Sequence, residues 1–304
     1  MQELLDTVRS YLGNTSLNIP SPKEAWSVAD GQLRVVMQGD VLGQNIQQLG
    51  PSIPCYQLAL CFWYEQATGK RLDAVLDIVG DVPSTIAGNR GRFMLTELQS
   101  VAGQRLTVRG LEPWQLPETP VMNAPTEIRK ESSDGGGAEH KAEVFLTQLA
   151  TTPMGKLQRQ FPLGLFNAEK SAATRLFPGN GAQADLWSFD EVTKTFNLVE
   201  LKVGGNATVG IIPESLTYAR LLQQFAAHPN AKWSEEWPGA QAVRQAKRIV
   251  VWLVGETFHP LVFSKNTSPL AWLNAGPLRD VLEFRILPID VGSDGVAWGE
   301  VWAG

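Results

Sequence analysis

Phe196-Asn197-Leu198-Val199-Glu200-Leu201-Lys202-Val203 is an apolar run interrupted by three polar residues. Its β-branched and aromatic content suits a strand. Side chains alternate along a strand, so Phe196, Leu198, Glu200 and Lys202 share one face, and Asn197, Val199, Leu201 and Val203 share the other. Two charges in the middle of such a strand are costly to bury unless they are paired or bind something. The run therefore predicts a central strand and, on one of its faces, a place for chemistry.

The residues before it sharpen that expectation. Ala182–Phe189 is a second strand, joined to Thr195–Val203 by the polar turn Asp190–Lys194. If the two form an antiparallel hairpin centred near Val192 and Thr193, Phe189 lies opposite Phe196 and Asp185 opposite Glu200. Directly opposed residues have Cβ atoms about 4.5 to 5.5 Å apart. Carboxylates that close repel unless a cation bridges them. Mg²⁺ suits this arrangement, because it prefers oxygen ligands and keeps some of its waters. Lys202 beside such a site could orient an attacking water or stabilise charge on a reacting phosphate. Upstream, Ala138–Ala150 reads as an amphipathic helix with Ala142, Phe145, Leu146 and Leu149 on one face. Glu139 and Glu143 share another face, and Glu143 is the better candidate to point at the metal or its water. These are the parts that metal-assisted displacement at phosphorus needs.

Ala184-Asp185, followed 15 residues later by Glu200-Leu201-Lys202, resembles the signature of the PD-(D/E)XK nuclease superfamily. The surrounding element order resembles its αβββαβ, restriction-endonuclease-like core. The likeness covers about residues 138 to 255. It implies Mg²⁺-dependent hydrolysis of a phosphodiester, with Mn²⁺ as a substitute. Asp185, Glu200 and the Leu201 carbonyl would hold the metal, and Lys202 would assist the water. Glu143 would match the helix acid of many members. Tyr218 and Gln223 would lie on the second helix, which often faces nucleic acid in this group. Ala184 stands where many members carry Pro, and Glu214 precedes Tyr218 by four residues where some branches carry Gln three before. The triplet alone decides nothing: composition predicts about 0.7 Glu-x-Lys matches, and the chain has a second at Glu139-His140-Lys141, which reads as solvated surface.

Around this region the chain divides. Pro113, Pro117, Pro120 and Pro125 precede a Ser/Gly run ending at Gly137. Prolines at that density block helix and central strand, so 113–137 reads as a linker. It separates a mixed α/β domain, 1–112, from the nuclease-like domain, 138–304. In the first, Leu4, Leu5, Val8 and Leu12 mark a helix ended by Gly13, and Leu33–Met37, Leu72–Val79 and Arg105–Val108 read as strands. Tyr56–Tyr64 fits helix or strand equally. Asp73, Asp77 and Asp81 recur every four residues, but nothing nearby completes a calcium loop. This domain carries no recognisable family signature, and recognition or assembly, including contact with a protein partner, is the expectation for it. In the second, Gln160–Phe166 is a strand, Pro213–Ala227 a helix, Arg248–Gly255 a buried strand, Gly204-Gly205-Asn206 a turn, and Leu282–Leu287 and Gly295–Trp302 closing strands.

Composition limits the alternatives. The 304 residues are 43% hydrophobic and 19% charged, enough for a sizeable core, and the net charge is −5. Coating nucleic acid by bulk charge is not expected, while a local basic contact through Arg244 and Lys247 remains open. Two Cys and three His make neither a disulfide framework nor a His-rich metal centre. The opening Met1–Arg9 has no long apolar run, and the most apolar window, Ile249–Val254, is far shorter than the roughly 20 residues of a membrane span. A cytoplasmic protein without a membrane partner is expected. No nucleophile elbow or phosphate-binding loop is present. The expectation is a nuclease acting on nucleic acid, DNA first, with defence, restriction or repair as its setting by family analogy, and with a homodimer as the form that cuts both strands. The alternatives are a nuclease-fold binding or scaffold module without turnover, and a hydrolase of small phosphoesters.

Overall fold

The computed structural model describes residues 1–20, 25–125, 137–178, 182–292 and 295–304. It is mixed α/β, with three β-sheets and seven α-helices among the described residues. The N-terminal half holds α1 (Gln2–Leu12), β1 (Trp26–Ala29), β2 (Gln32–Gln38), a 3₁₀ turn (Gly39–Gly43), α2 (Leu49–Thr68), β3 (Asp73–Val79), α3 (Ile86–Ala102) and β4 (Leu106–Arg109). β1 pairs antiparallel with β2; β2, β3 and β4 are parallel. The ambiguous Tyr56–Tyr64 is helical. It is apolar all round because α2 is covered on several sides. Gln57 in α2 donates to the carbonyls of Leu33 (2.5 Å) and Val75 (2.8 Å). The spaced aspartates lie in and beyond a strand rather than a metal loop: Asp73 faces Arg71 and Arg105, and Asp77 faces Arg34 and Arg109.

The segment read as a linker departs from that reading where it is described. β5 (Pro120–Met122) is the middle strand of a three-stranded sheet, and Val121, Met122 and Ala124 are buried. Proline is tolerated because Pro120 is the strand's first residue. Residues 126–136, with most of the Ser/Gly run, lie outside the described residues.

Then follow α4 (Ala138–Gln148), β6 (Gln158–Pro162), β7 (Leu165–Asn167), β8 (Gln183–Asp190), β9 (Thr195–Ala207), α5 (Ile211–Ala227), β10 (Lys232–Trp233), α6 (Pro238–Gln245), β11 (Arg248–Phe258), α7 (Leu270–Asn274), β12 (Leu282–Gly292) and β13 (Gly295–Trp298). The large sheet runs β13-β12-β11-β9-β8-β6; β8 is antiparallel to both its neighbours, β6 and β9, and β9, β11 and β12 are parallel. β10 and β7 flank β5 in the small sheet. The expected hairpin register holds from Asp190–Thr195 to Leu186–Val199. Gly204-Gly205-Asn206 is not a turn. β9 continues through it with a bulge, since Gly255 pairs with Lys202 but Thr257 with Asn206. Gly204 supplies the positive φ of +79° that the bulge uses.

α4 covers one face of β9, where Ala142 and Leu146 pack with Val199, Leu201, Val250 and Trp252. α5 covers the other, and its Leu216, Ala219, Leu222 and Phe225 belong to the same apolar core as Phe196, Leu198 and Leu253. That core does not stop at the boundary read from sequence; it continues into α2, α3 and the N-terminal sheet. Trp63 donates to the Leu261 carbonyl (3.1 Å), and Arg220 pairs with the buried Glu97 (2.6 Å). Much of the tryptophan content is core: Trp187 stacks on Phe196, and Phe161, Trp233 and Trp237 close around them. No helix among the described residues is long and apolar enough to cross a membrane.

A core shared in this way predicts one cooperative urea transition for both halves. Glu97→Ala, which strands Arg220 between α3 and α5, should lower stability by about 3 kcal/mol without splitting that transition. Two separated transitions in the wild type would show that the halves fold independently.

Candidate active site

Glu200 is the anchor of the site. β9 is central, with β8 and β11 on either side, so a mid-strand side chain has little access to water; Glu200 is 3% exposed. Burial pushes its carboxyl well above the usual carboxylate range, and the charges of Asp185 and Glu214 push it further. One oxygen, Oε1, accepts a hydrogen bond from Lys202 Nζ at 2.7 Å. The other, Oε2, is buried with no hydrogen-bond partner.

Lys202 follows two residues later on the same face, as alternation requires. Its ammonium also donates to Glu139 Oε1 on α4 at 3.2 Å. Burial works against its charge, but Glu200 and Asp185 outweigh burial and raise its pKa. Lys202 therefore stays protonated. The β9 bulge begins directly after it, and Gly204 N–H donates to Glu256 Oε2 (2.6 Å).

Asp185 lies one residue beyond the last paired position, Leu186–Val199. Its Oδ2 accepts the Leu201 backbone N–H at 2.7 Å, which fixes the carboxylate beside β9. Burial pushes its pKa up to about 7, against the pull of Lys202 and of the Leu201 N–H. The structure thus brings Asp185, Glu200, Leu201 and Lys202 together.

The other expected residues divide. Glu143 is close enough for its charge to act on Asp185, but its Oε2 takes Arg159 of β6 at 3.0 Å, and Arg159 also meets His140. Burial raises the Glu143 pKa against that pairing. The acid in contact with Lys202 is Glu139 instead. Tyr218 is near the site and 3% exposed, and its hydroxyl is already engaged, donating to Glu214 Oε1 (3.0 Å). Gln223, Arg244 and Lys247 are elsewhere. They line a groove of about 340 Å³ between α5, α6 and the start of β11. Arg248 pairs with Thr195, five residues before Glu200, so this groove begins roughly 16 Å away along the strands. Arg244 is paired with Glu236, and Gln223 bonds Arg220 and the Val281 carbonyl. Trp233, upstream of these cations, is in the aromatic core.

Two participants went unassigned in the sequence. Glu214, in the first turn of α5, is 6% exposed and accepts Gln47 Nε2 at 2.5 Å. Its charge acts on both Glu200 and Lys202. The i, i+4 spacing of Glu214 and Tyr218 was a usable signal. Gln47 had none, because only the fold brings its loop to α5.

Among the described residues no three Asp, Glu, His or Cys side chains are grouped as a ready metal cage. The donors present are two carboxylates, one with a bare buried oxygen. That set fits a hard cation that retains waters better than one needing a full protein cage. Comparison with models of known families, with characterised proteins and with solved structures returns no match.

The Asp185 shift has a pH consequence. A carboxyl with a raised folded pKa binds more protons folded than unfolded, so stability falls as pH rises from near 4 to about 7. In metal-free buffer, Asp185→Asn should be more stable than wild type at pH 8, by on the order of 2 kcal/mol, with the gap closing toward pH 4. Urea midpoints across that range test it, and a pH-independent gap would refute it.

Proposed function

We propose that the protein is a metal-dependent nuclease that hydrolyses phosphodiester bonds, with DNA as the first substrate to test. The observation that carries the reading is the bare, buried Glu200 Oε2, on a carboxylate whose other oxygen takes Lys202 and next to the Leu201 N–H that holds Asp185. A buried carboxylate oxygen without a partner is costly, and a cation in the site would satisfy it. The topology supports the same reading. α4, β6, β8, β9, α5 and β11 follow the αβββαβ order of a restriction-endonuclease-like core, with three antiparallel strands and a fourth parallel to the third. β7 and the small sheet are additions to that core.

In this reading Asp185 and Glu200 hold Mg²⁺ or Mn²⁺, with the Leu201 carbonyl as a further oxygen donor. When bound, the cation would supply charge neutralisation at the phosphate and a more acidic water. The chain's own residues do the rest. The Leu201 N–H keeps the Asp185 carboxylate aimed along β9. Lys202, protonated and steadied by Glu200 and Glu139, orients the attacking water and offsets charge developing on the phosphate. Glu139 competes with that role by sharing the ammonium, and Glu143 holds Arg159 of β6.

A second reading, a nuclease-fold module that binds without turnover, is favoured by the engagement of Glu143 with Arg159 and of Lys202 with two carboxylates.

Labelled single- and double-stranded DNA and RNA, incubated with Mg²⁺ or Mn²⁺, separate the two readings. The nuclease reading expects metal-dependent cleavage that falls at least 100-fold in Asp185→Asn and in Lys202→Ala, with the fold retained. Cleavage that survives both substitutions, or absence of Mg²⁺ and Mn²⁺ binding by calorimetry, would overturn it.

A further inference from the structure

One buried cation has no role in the site as described. Arg90, in α3, is 8% exposed and is the one arginine buried among the described residues. Its Nη2 donates to Asn45 Oδ1 at 3.2 Å, and its Nε is buried without a hydrogen-bond partner. Its acceptor is a neutral amide rather than a carboxylate, so the guanidinium's charge is not neutralised by direct contact. A guanidinium has five donors and fits the oxygens of an anion two at a time. Burying one with so few acceptors is costly unless it meets an anion in function.

Its position follows from close packing. The loop 44–48 leads from the 3₁₀ turn into α2 and carries both Asn45 and Gln47. The Gln47 carbonyl lies 2.7 Å from where a Cβ on Gly210 would stand, so only glycine lets this loop abut the start of α5. There Gln47 holds Glu214, and Glu214 holds Tyr218. Burial, Glu214 and Glu200 all push the Tyr218 hydroxyl's pKa up, while the Arg90 charge pulls it down. Arg90, Tyr218, Glu214 and Glu200 therefore share one electrostatic neighbourhood, with Arg90 supplied by the N-terminal half.

We propose that Arg90, positioned by Asn45, binds a backbone phosphate of the substrate on the Glu214 side of Glu200, so that the N-terminal half contributes a substrate contact to the site. This rests on the nuclease reading and deepens it by naming what the first 112 residues contribute. The rival explanation is that Arg90 only offsets the charge of the buried acids.

Fluorescence anisotropy with labelled single- and double-stranded oligonucleotides in EDTA separates these, because binding is read without cleavage. Arg90→Gln should bind at least ten-fold more weakly, with the slope of log affinity against log salt reduced by about one. Arg90→Lys should keep the slope and lose part of the affinity, since it keeps the charge but not the fork. Asp185→Asn should bind at least as tightly as wild type. Should Arg90→Gln fail to fold, Asn45→Ala leaves the charge but frees the side chain, and should weaken binding several-fold at an unchanged slope. Wild-type affinity and slope in Arg90→Lys and Asn45→Ala, together with either of these in Arg90→Gln where it folds, would overturn the proposal, as would absence of binding by the wild type. Cleavage by the same proteins keeps the two readings apart. Cleavage lost in Asp185→Asn with binding unchanged in the Arg90 and Asn45 variants leaves the nuclease and removes the phosphate contact. Arg90-dependent binding without cleavage in any metal does the reverse.

Discussion

The ion pair between Glu200 and Lys202 organises the centre of this protein. A carboxylate in the middle of a six-stranded sheet has almost no water, and burial drives it toward the neutral form. Lys202 offsets that at one oxygen and leaves the other bare. Asp185 is drawn into the same field by its hydrogen bond to Leu201, and its own pKa rises as a result of burial. Of these three groups, only Glu200 keeps a buried oxygen without a partner. Burying charges in this way is weak evidence of stability, because desolvation opposes the attraction between them.

Two features of the backbone keep that arrangement in place. The β9 bulge starts immediately after Lys202, at the point where the strand leaves its regular pairing with β11. The start of α5 then returns close to β9 and brings Glu214 toward Glu200 from the opposite side to α4. Because α5 also packs on α3 and touches the loop 44–48, the N-terminal half is continuous with the site. The boundary that prolines suggest along the chain is therefore not a boundary in the core. Proline density reports where regular elements are interrupted, and says nothing about which surfaces are later covered.

Much of the site was legible from local rules. Alternation along Phe196–Val203 put Glu200 and Lys202 on one face, and counting back across the turn put Asp185 opposite Glu200; both depend only on strand geometry. The same local rules misread Gly204-Gly205-Asn206, since a glycine pair suits a turn and a bulge equally well. They were silent on Tyr56–Tyr64, because an apolar run without periodicity fits any fully covered element. They chose Glu143 over Glu139, since helical spacing puts both acids on one face but does not show that Arg159 will claim the first.

The sequence by itself determined the strand that carries the acids, the hairpin register over its paired residues, and the mixed α/β class. Each follows from interactions between near neighbours along the chain, or across one tight turn. Only the tertiary structure decided that Gln47 and Arg90 stand beside Glu214 and Tyr218, and that Arg244 and Lys247 are a sheet-length away from Glu200. Gln47 and Arg90 lie more than 120 positions before Glu214 and Tyr218 in the chain, and no periodicity links the two pairs. Helix packing across a shared apolar core brings them together, and that packing depends on the shape of whole surfaces rather than on local pattern.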